Sequence, residues 1–361
     1  MIIMKTIKFV SSDIKQKKFA SALKKNVNNY FKEKGISKKG NLLMLLQSLA
    51  MLSIYIIPFI LILTLSLNPW IALLMAILMG IGLAGIGMAV MHDAVHGSYS
   101  NKKWINNLFG ATMYLLGSNV LNWKIQHNLL HHAYTNIDGY DPDIGSKGPI
   151  RLSEHAPLHK IHKTQYVHAF FFYGLMTIVK LTRDFTQLLD YNKAGLTHQH
   201  ANATFEYVKM VVVKIIYLFV FIGLPIIYTS YSWWQVILGF FCMHWVAGCI
   251  LSTVFQMAHV VEGTKQPLPN EEGVIQTDWV VHQLRTTSDF ARNNDFLNWY
   301  IGGLNFQIEH HLFPNICHIH YRKIAPIVEK TAIEHGYNYN LKPSFTYALF
   351  SHIKRLKELG T

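Results

Sequence analysis

Charge is scarce in this 361-residue chain, where Asp, Glu, Lys and Arg make up 15% of the residues, against about 25% in soluble domains. The shortage is local. No charged residue occurs from 41 to 92 or from 215 to 261, which excludes one uniformly soluble domain. Cysteine is also rare: Cys242, Cys249 and Cys317 show no paired spacing, so a disulfide framework is excluded. Glycine and proline are unremarkable while aromatics reach 13%, which excludes collagen-like repeats and disorder. The net charge of +13 raises nucleic acid as a partner, but its distribution removes that reading. Residues 1–40 hold eleven lysines and two acids, +9 of the total.

What the chain does have is two long apolar blocks. A bilayer core of about 30 Å takes about 20 helical residues, so each block holds two spans, at about 41–67 and 70–91, then about 207–227 and 233–258. Asn68-Pro69 breaks the first block and Tyr228 to Ser232 the second, with Trp233 and Trp234 where an interfacial aromatic belt belongs. The expectation is an all-α integral membrane protein with four transmembrane helices in two hairpins. Apolar runs at about 105–121 and 164–179 are short for spans and read as interfacial or buried helices.

Four spans place the N-terminus, residues 92–206 and the tail after 259 on one face. All 33 Lys and Arg then lie on that side or at its helix ends, with Lys209 and Lys214 snorkelling back to it; by the positive-inside rule this is the cytoplasmic side. Residues 1–40 lack the apolar core of 7 to 15 residues that marks a signal peptide. They form either an amphipathic helix resting on anionic lipid through Phe9, Phe19, Leu23 and Tyr30, or a solvated tail. The expected organisation is a basic segment at 1–40, a membrane domain at 41–340 and a tail at 341–361.

Histidine is abundant, with 20 in the chain, and three groups stand out: His92-Asp93-Ala94-Val95-His96, His127-Asn128-Leu129-Leu130-His131-His132, and Gln307-Ile308-Glu309-His310-His311. On an α-helix positions i and i+4 share a face, so His92 with His96, and His127 with His131, can each offer two imidazoles to one metal, while His132 points about 100° away. Seven imidazoles exceed the need of one metal. The His-Glu-x-x-His pattern of mononuclear zinc enzymes is absent from the first two groups, and imidazole suits iron, copper, nickel and zinc alike. His318 and His320, two residues apart, cannot share a helical face. His244 falls inside the fourth span, where polar side chains are costly.

These clusters, in this order around two apolar hairpins, resemble those of the membrane fatty acid desaturases. The run from Gly302-Gly303-Leu304-Asn305-Phe306-Gln307 to Cys317-His318-Ile319-His320-Tyr321, with Trp123 to Asn136 and Phe255 to Glu262, is similar to the front-end class, which includes Δ6 acyl-lipid and linoleoyl-CoA desaturases. The resemblance covers roughly residues 40–340. It implies a non-haem centre of two iron ions using O2 as cosubstrate, under a cytoplasmic helical cap. The metal ligands it implies are His92, His96, His127, His131, His132, His259, His310 and His311. Gln307 stands where other desaturases have histidine, either as a weak ligand or as part of the acyl channel wall. His282 is assigned a supporting place. Asp93 either orients a ligand imidazole or serves its helix start.

The resemblance further implies an acyl-CoA or acyl-lipid substrate. The His-Pro-Gly-Gly motif of a fused cytochrome b5 domain is missing, so the expected electron source is a separate ferredoxin, flavoprotein or cytochrome b5-type donor. An acyl chain has no acidic proton or electrophilic carbon, so its dehydrogenation needs a strong oxidant. An acyl or alkane hydroxylase with the same kind of centre is the alternative. A metal transporter is a third reading, disfavoured because the clusters lie at helix ends and not at mid-membrane.

Overall fold

The computed structural model describes residues 7–145, 148–198 and 200–361; the first six residues of the basic segment lie outside it. The chain is helical, with β structure confined to two-residue pairs. Helix α1 is Ile14–Lys34, α2 Leu42–Thr64 and α3 Pro69–Val95. Next come α4, Lys103–Gly110, continued by a 3₁₀ turn at Ala111–Leu116, and α5, built from Val120–Trp123, Lys124–His131 and His132–Tyr134. Then follow α6 Gln165–Gly174, α7 Met176–Lys193, α8 Ala203–Tyr228 and α9 Trp233–His259. The rest is α10 Trp279–Thr286, α11 Asp295–Tyr300, α12 Gln307–Leu312, α13 Tyr321–Glu334 and α14 Phe345–Leu359.

Among the described residues α2, α3, α8 and α9 are the helices long and apolar enough to cross a membrane. Their starts follow from local chemistry. The Asn41, Asn68 and Asn202 side chains accept from the N–H of Leu43, Trp70 and Phe205, and Ser232 with Gln235 forms a capping box, so orphan donors at each helix start are satisfied. The break expected at Asn68-Pro69 is thus a cap followed by proline in the first turn, where its missing N–H costs nothing. Helix α3 is the innermost, with 56% of its most apolar window buried against 28% in each of the others. It packs on α2 and α9 around Met51, Tyr55, Leu83, Met243 and Met257. Trp70, Tyr228 and Trp233 lie exposed at the starts or ends of spans away from the histidines, as an aromatic belt requires.

Two expectations need correction. Lys214 does not snorkel: its Nζ is buried, 3.0 Å from Asp184 Oδ2 and 2.8 Å from the Gly117 carbonyl. An ion partner and two carbonyls on neighbouring segments satisfy the ammonium where it stands. Helix α1 is neither a lipid-facing helix nor a loose tail. Phe19, Leu23, Val27 and Phe31 recur every fourth residue and are buried against α10, α12 and α13. The apolar stripe found a protein partner. Ahead of α1, Lys8–Phe9 (β1) pairs in parallel with Val274–Ile275 (β2); Asp289–Phe290 (β3) pairs likewise with Leu341–Lys342 (β4). The two shorter apolar runs became α4 with its 3₁₀ turn, and α6 with the start of α7.

Candidate metal centre

The helices that carry the histidines depart from α geometry where they meet. Ile86–Met91, just before His92, is π-helical, as is Lys124–His131. Hydrogen bonds in a π-helix run from i to i+5, which turns a residue toward its fifth neighbour. The Nε2 atoms of His127 and His132 accordingly lie 3.3 Å apart. His127 and His131 stack at 5.2 Å and meet with Asp143 in one group, as α-helical spacing predicts, while the π-helical turn brings His132 beside His127.

Two clusters of ring nitrogens result. His92, His96, His127 and His310 form one, and His131, His259 and His311 the other. His132 Nε2 lies 3.3 Å from His127 Nε2 and 3.0 Å from His310 Nε2, and its ring stacks on His311 at 4.4 Å. Consecutive residues on a helix diverge by about 100°, so each doublet, His131-His132 and His310-His311, reaches in two directions. All eight predicted ligands are thereby brought together.

The ring nitrogens facing outward are held by groups that sequence reasoning missed. Asp141 lies 3.0 Å from His131 Nδ1. Gln283 Oε1 is 2.9 Å from His311 Nδ1 while its amide donates to the His132 carbonyl at 3.1 Å, and the Tyr321 hydroxyl is 3.2 Å from His310 Nδ1. The Asp-Gly-Tyr-Asp-Pro-Asp turn after the second cluster was the one visible signal for Asp141. Gln283 and Tyr321 gave none, because their roles depend on contacts across the fold.

These partners establish what the site can hold. A carboxylate or amide oxygen at Nδ1 places the proton there, leaving Nε2 with a bare lone pair. His131 and His311 are both fixed in this way, yet their Nε2 atoms stand 3.2 Å apart. Two lone pairs at that distance repel unless a cation lies between or beside them. His96 Nε2 is buried without a protein partner. Burial, then repulsion among neighbouring imidazoles, holds His96, His127, His132, His310 and His311 well below the usual histidine pKa. Neutral, converging, all-nitrogen donors of this kind fit late first-row divalent metals such as iron.

Other predicted residues stand apart. Asp93 Oδ1 is 4.0 Å from His92 Nδ1, too far for a hydrogen bond, and its Oδ2 accepts from His318 Nδ1 at 2.8 Å and from Cys317 Sγ at 2.9 Å. Asp93 therefore ties the end of α3 to the loop after the third cluster instead of orienting His92. His282 donates toward the Thr135 carbonyl at 2.9 Å, and burial lowers its pKa to about 4. His244, in α9, pairs with the Tyr217 hydroxyl at 2.7 Å and with Thr177 Oγ1 at 3.0 Å.

A cavity of about 610 Å³ reaches His92, His127 and Gln307, a size usual for small-molecule sites. Met88, Leu116, Leu251 and Phe255 supply apolar wall. Gln307 is buried, with its side chain beside His259. A smaller cavity of about 170 Å³ lies beside Trp70 and Trp234, at the other end of the spans.

Comparison with known proteins places this geometry. The family model described as fatty acid desaturase matches residues 68–343. The chain is 32% identical over 367 residues to the sn-1 linoleoyl-lipid 6-desaturase of Synechocystis sp., covering 100% of this chain and 99% of that protein. It is 33% identical to the sn-1 linoleoyl-lipid 6-desaturase of Arthrospira platensis, over 95% of this chain and 92% of the relative. It is 34% identical to the acyl-lipid (8-3)-desaturase of Physcomitrium patens, over 97% and 73%. Four membrane-length helices, a buried histidine cluster and full-length similarity to these oxidoreductases lead to one conclusion: the chain belongs to the fatty acid desaturase family.

Proposed function

We propose that this protein is an O2-dependent front-end acyl desaturase, Δ6-like, acting on an acyl chain carried by a membrane lipid. The observation that carries this reading is the convergence of eight imidazoles, two of which, His92 and His127, line a largely apolar cavity of about 610 Å³. Two iron ions would be held by His92, His96, His127 and His310 and by His131, His259 and His311, with His132 between the groups. With O2, bound iron supplies the oxidising power that an unactivated methylene demands.

In the overall reaction two adjacent methylenes lose two hydrogens. O2, two electrons and two protons complete the formation of two waters. The protein's own contribution is positional. Asp141, Gln283 and Tyr321 fix ring orientation and tautomer, an arrangement that raises ligand basicity. The largely apolar cavity wall would hold the chain beside His92 and His127. Gln307, buried beside His259, borders that path as part of the channel wall.

The lipid-linked substrate rests on the named specificity of the relatives from Synechocystis sp. and Arthrospira platensis. The same reading takes the four spans as two hairpins, the helices α10 to α13 with α1 as a cap over the histidines, and both termini and the metal site as cytoplasmic. The membrane domain runs over 41–340. Electrons come from a separate one-electron donor.

Expression in a bacterial host that makes no polyunsaturated lipid, fed linoleate, tests the reading by mass spectrometry of membrane lipids. The expected product is an acyl chain with one additional double bond between the existing ones and the carboxyl end. A hydroxylated chain without a new double bond would overturn it.

A further inference from the structure

Helix α1 has two unlike faces. Phe19, Leu23, Val27 and Phe31 are buried in a core shared with α10, α12 and α13 and with none of the four spans. At 100° per residue, Lys18, Lys25 and Lys32 project from the opposite side, with Lys17 and Lys24 on its flank. All five are exposed, as are Lys15 and Lys34 at the helix ends. Glu33 is the one acid within the helix, so its net charge is +6, seven lysines less one glutamate. No carboxylate pairs with these lysines among the described ion pairs.

The protein beneath this basic face is thin. Tyr321, buried in the same core as Val27 and Phe31, places its hydroxyl 3.2 Å from His310 Nδ1. Next to it, the His320 ring meets Phe31 edge-on at 5.2 Å. Behind α1, one layer of side chains thus separates the exposed lysines from a residue that touches the histidine cluster. Electron tunnelling falls steeply with distance, so a short chain of packed side chains from a surface helix to that cluster favours electron entry along it. Clustered charge of one sign also raises the rate of encounter with an oppositely charged partner.

We propose that the lysine face of α1 is the docking surface for an acidic one-electron carrier protein, and that electrons enter through the Phe31, Tyr321 and His310 side. This rests on the desaturase reading above. Each docking delivers one electron, oxidising the carrier by one; two dockings supply the two electrons of a turnover. The lysines are charged, solvated and outside the spans, and their number exceeds what helix stability needs.

The test uses full-length protein in nanodiscs of neutral lipid and an acidic [2Fe–2S] ferredoxin as probe. In the variant Lys17→Glu/Lys18→Glu/Lys24→Glu/Lys25→Glu, ferredoxin affinity should fall at least tenfold, and the wild-type affinity should weaken steeply with salt. Turnover driven by ferredoxin should fall in parallel, while turnover driven by dithionite stays unchanged. The corresponding Lys→Arg variant should restore binding, which separates charge from folding. Unchanged ferredoxin affinity in the glutamate variant would overturn the proposal. So would loss of binding to anionic vesicles with ferredoxin binding retained, since the face would then be a lipid contact. Failure of dithionite-driven turnover in the wild type would instead count against the desaturase reading, because the affinity measurement stands without it.

Discussion

Asp141 is the residue on which the histidine geometry turns most visibly. Its carboxylate lies 3.0 Å from His131 Nδ1 and also accepts from the Asn136 N–H at 2.8 Å, so it fixes both a ring and the turn that follows it. Partners of this kind are worth 10- to 100-fold in metal affinity. Asp141→Asn, which keeps the shape but can present N–H to His131, should lower iron affinity by about that factor, with the helical signal in circular dichroism unchanged; Gln283→Leu should do the same through His311. Iron titration of the purified variants under anaerobic conditions checks both. Affinity equal to wild type in both would mean that ring orientation is set by packing alone. Gln283 could not be singled out from sequence, since its hydrogen bond to His311 joins positions 28 apart through the fold.

At the scale of elements, the spans were legible because apolar length is a property of local sequence. The histidine pairing was legible only in part. Positions 92 and 96, and 127 and 131, come together as an α-helix predicts, but the approach of 127 to 132 follows from the π-helical Lys124–His131, and nothing in that stretch breaks the α pattern. Helix α1 was legible as amphipathic but not as buried, because an apolar stripe does not say whether lipid or protein covers it. The turn before the third cluster shows how tightly elements are set. Gly302 has φ +60°, and a Cβ there would meet the backbone of Met88 and Ala89, in the π-helical part of α3. Both the left-handed conformation and the contact exclude a side chain. Gly302→Ala should therefore displace α12 or α3 and yield protein that elutes as aggregate in size exclusion. Gly239→Ala, where the new Cβ would lie 3.7 Å from Ala76 Cβ, should behave as wild type. Monodisperse, iron-loaded Gly302→Ala would show that the approach is not needed.

For the whole molecule, the uneven charge noted in the sequence becomes an arrangement in layers. The apolar spans α2, α3, α8 and α9 carry His92 and His259 to one end, helices from later in the chain bring His310 and His311 down onto them, and α1 closes over the outside. The net +8 of residues 7–40 lies on this outermost layer, away from the residues that line the larger cavity. The central claim is that eight histidines from four separate stretches of chain make two adjoining metal sites. Metal content per chain after anaerobic loading with ferrous iron tests it most directly, on wild type and on His131→Ala/His311→Ala. The account predicts two iron ions per wild-type chain and loss of iron from the double variant. Saturation at one ion per chain in folded wild type, or two ions retained in the variant, would contradict it.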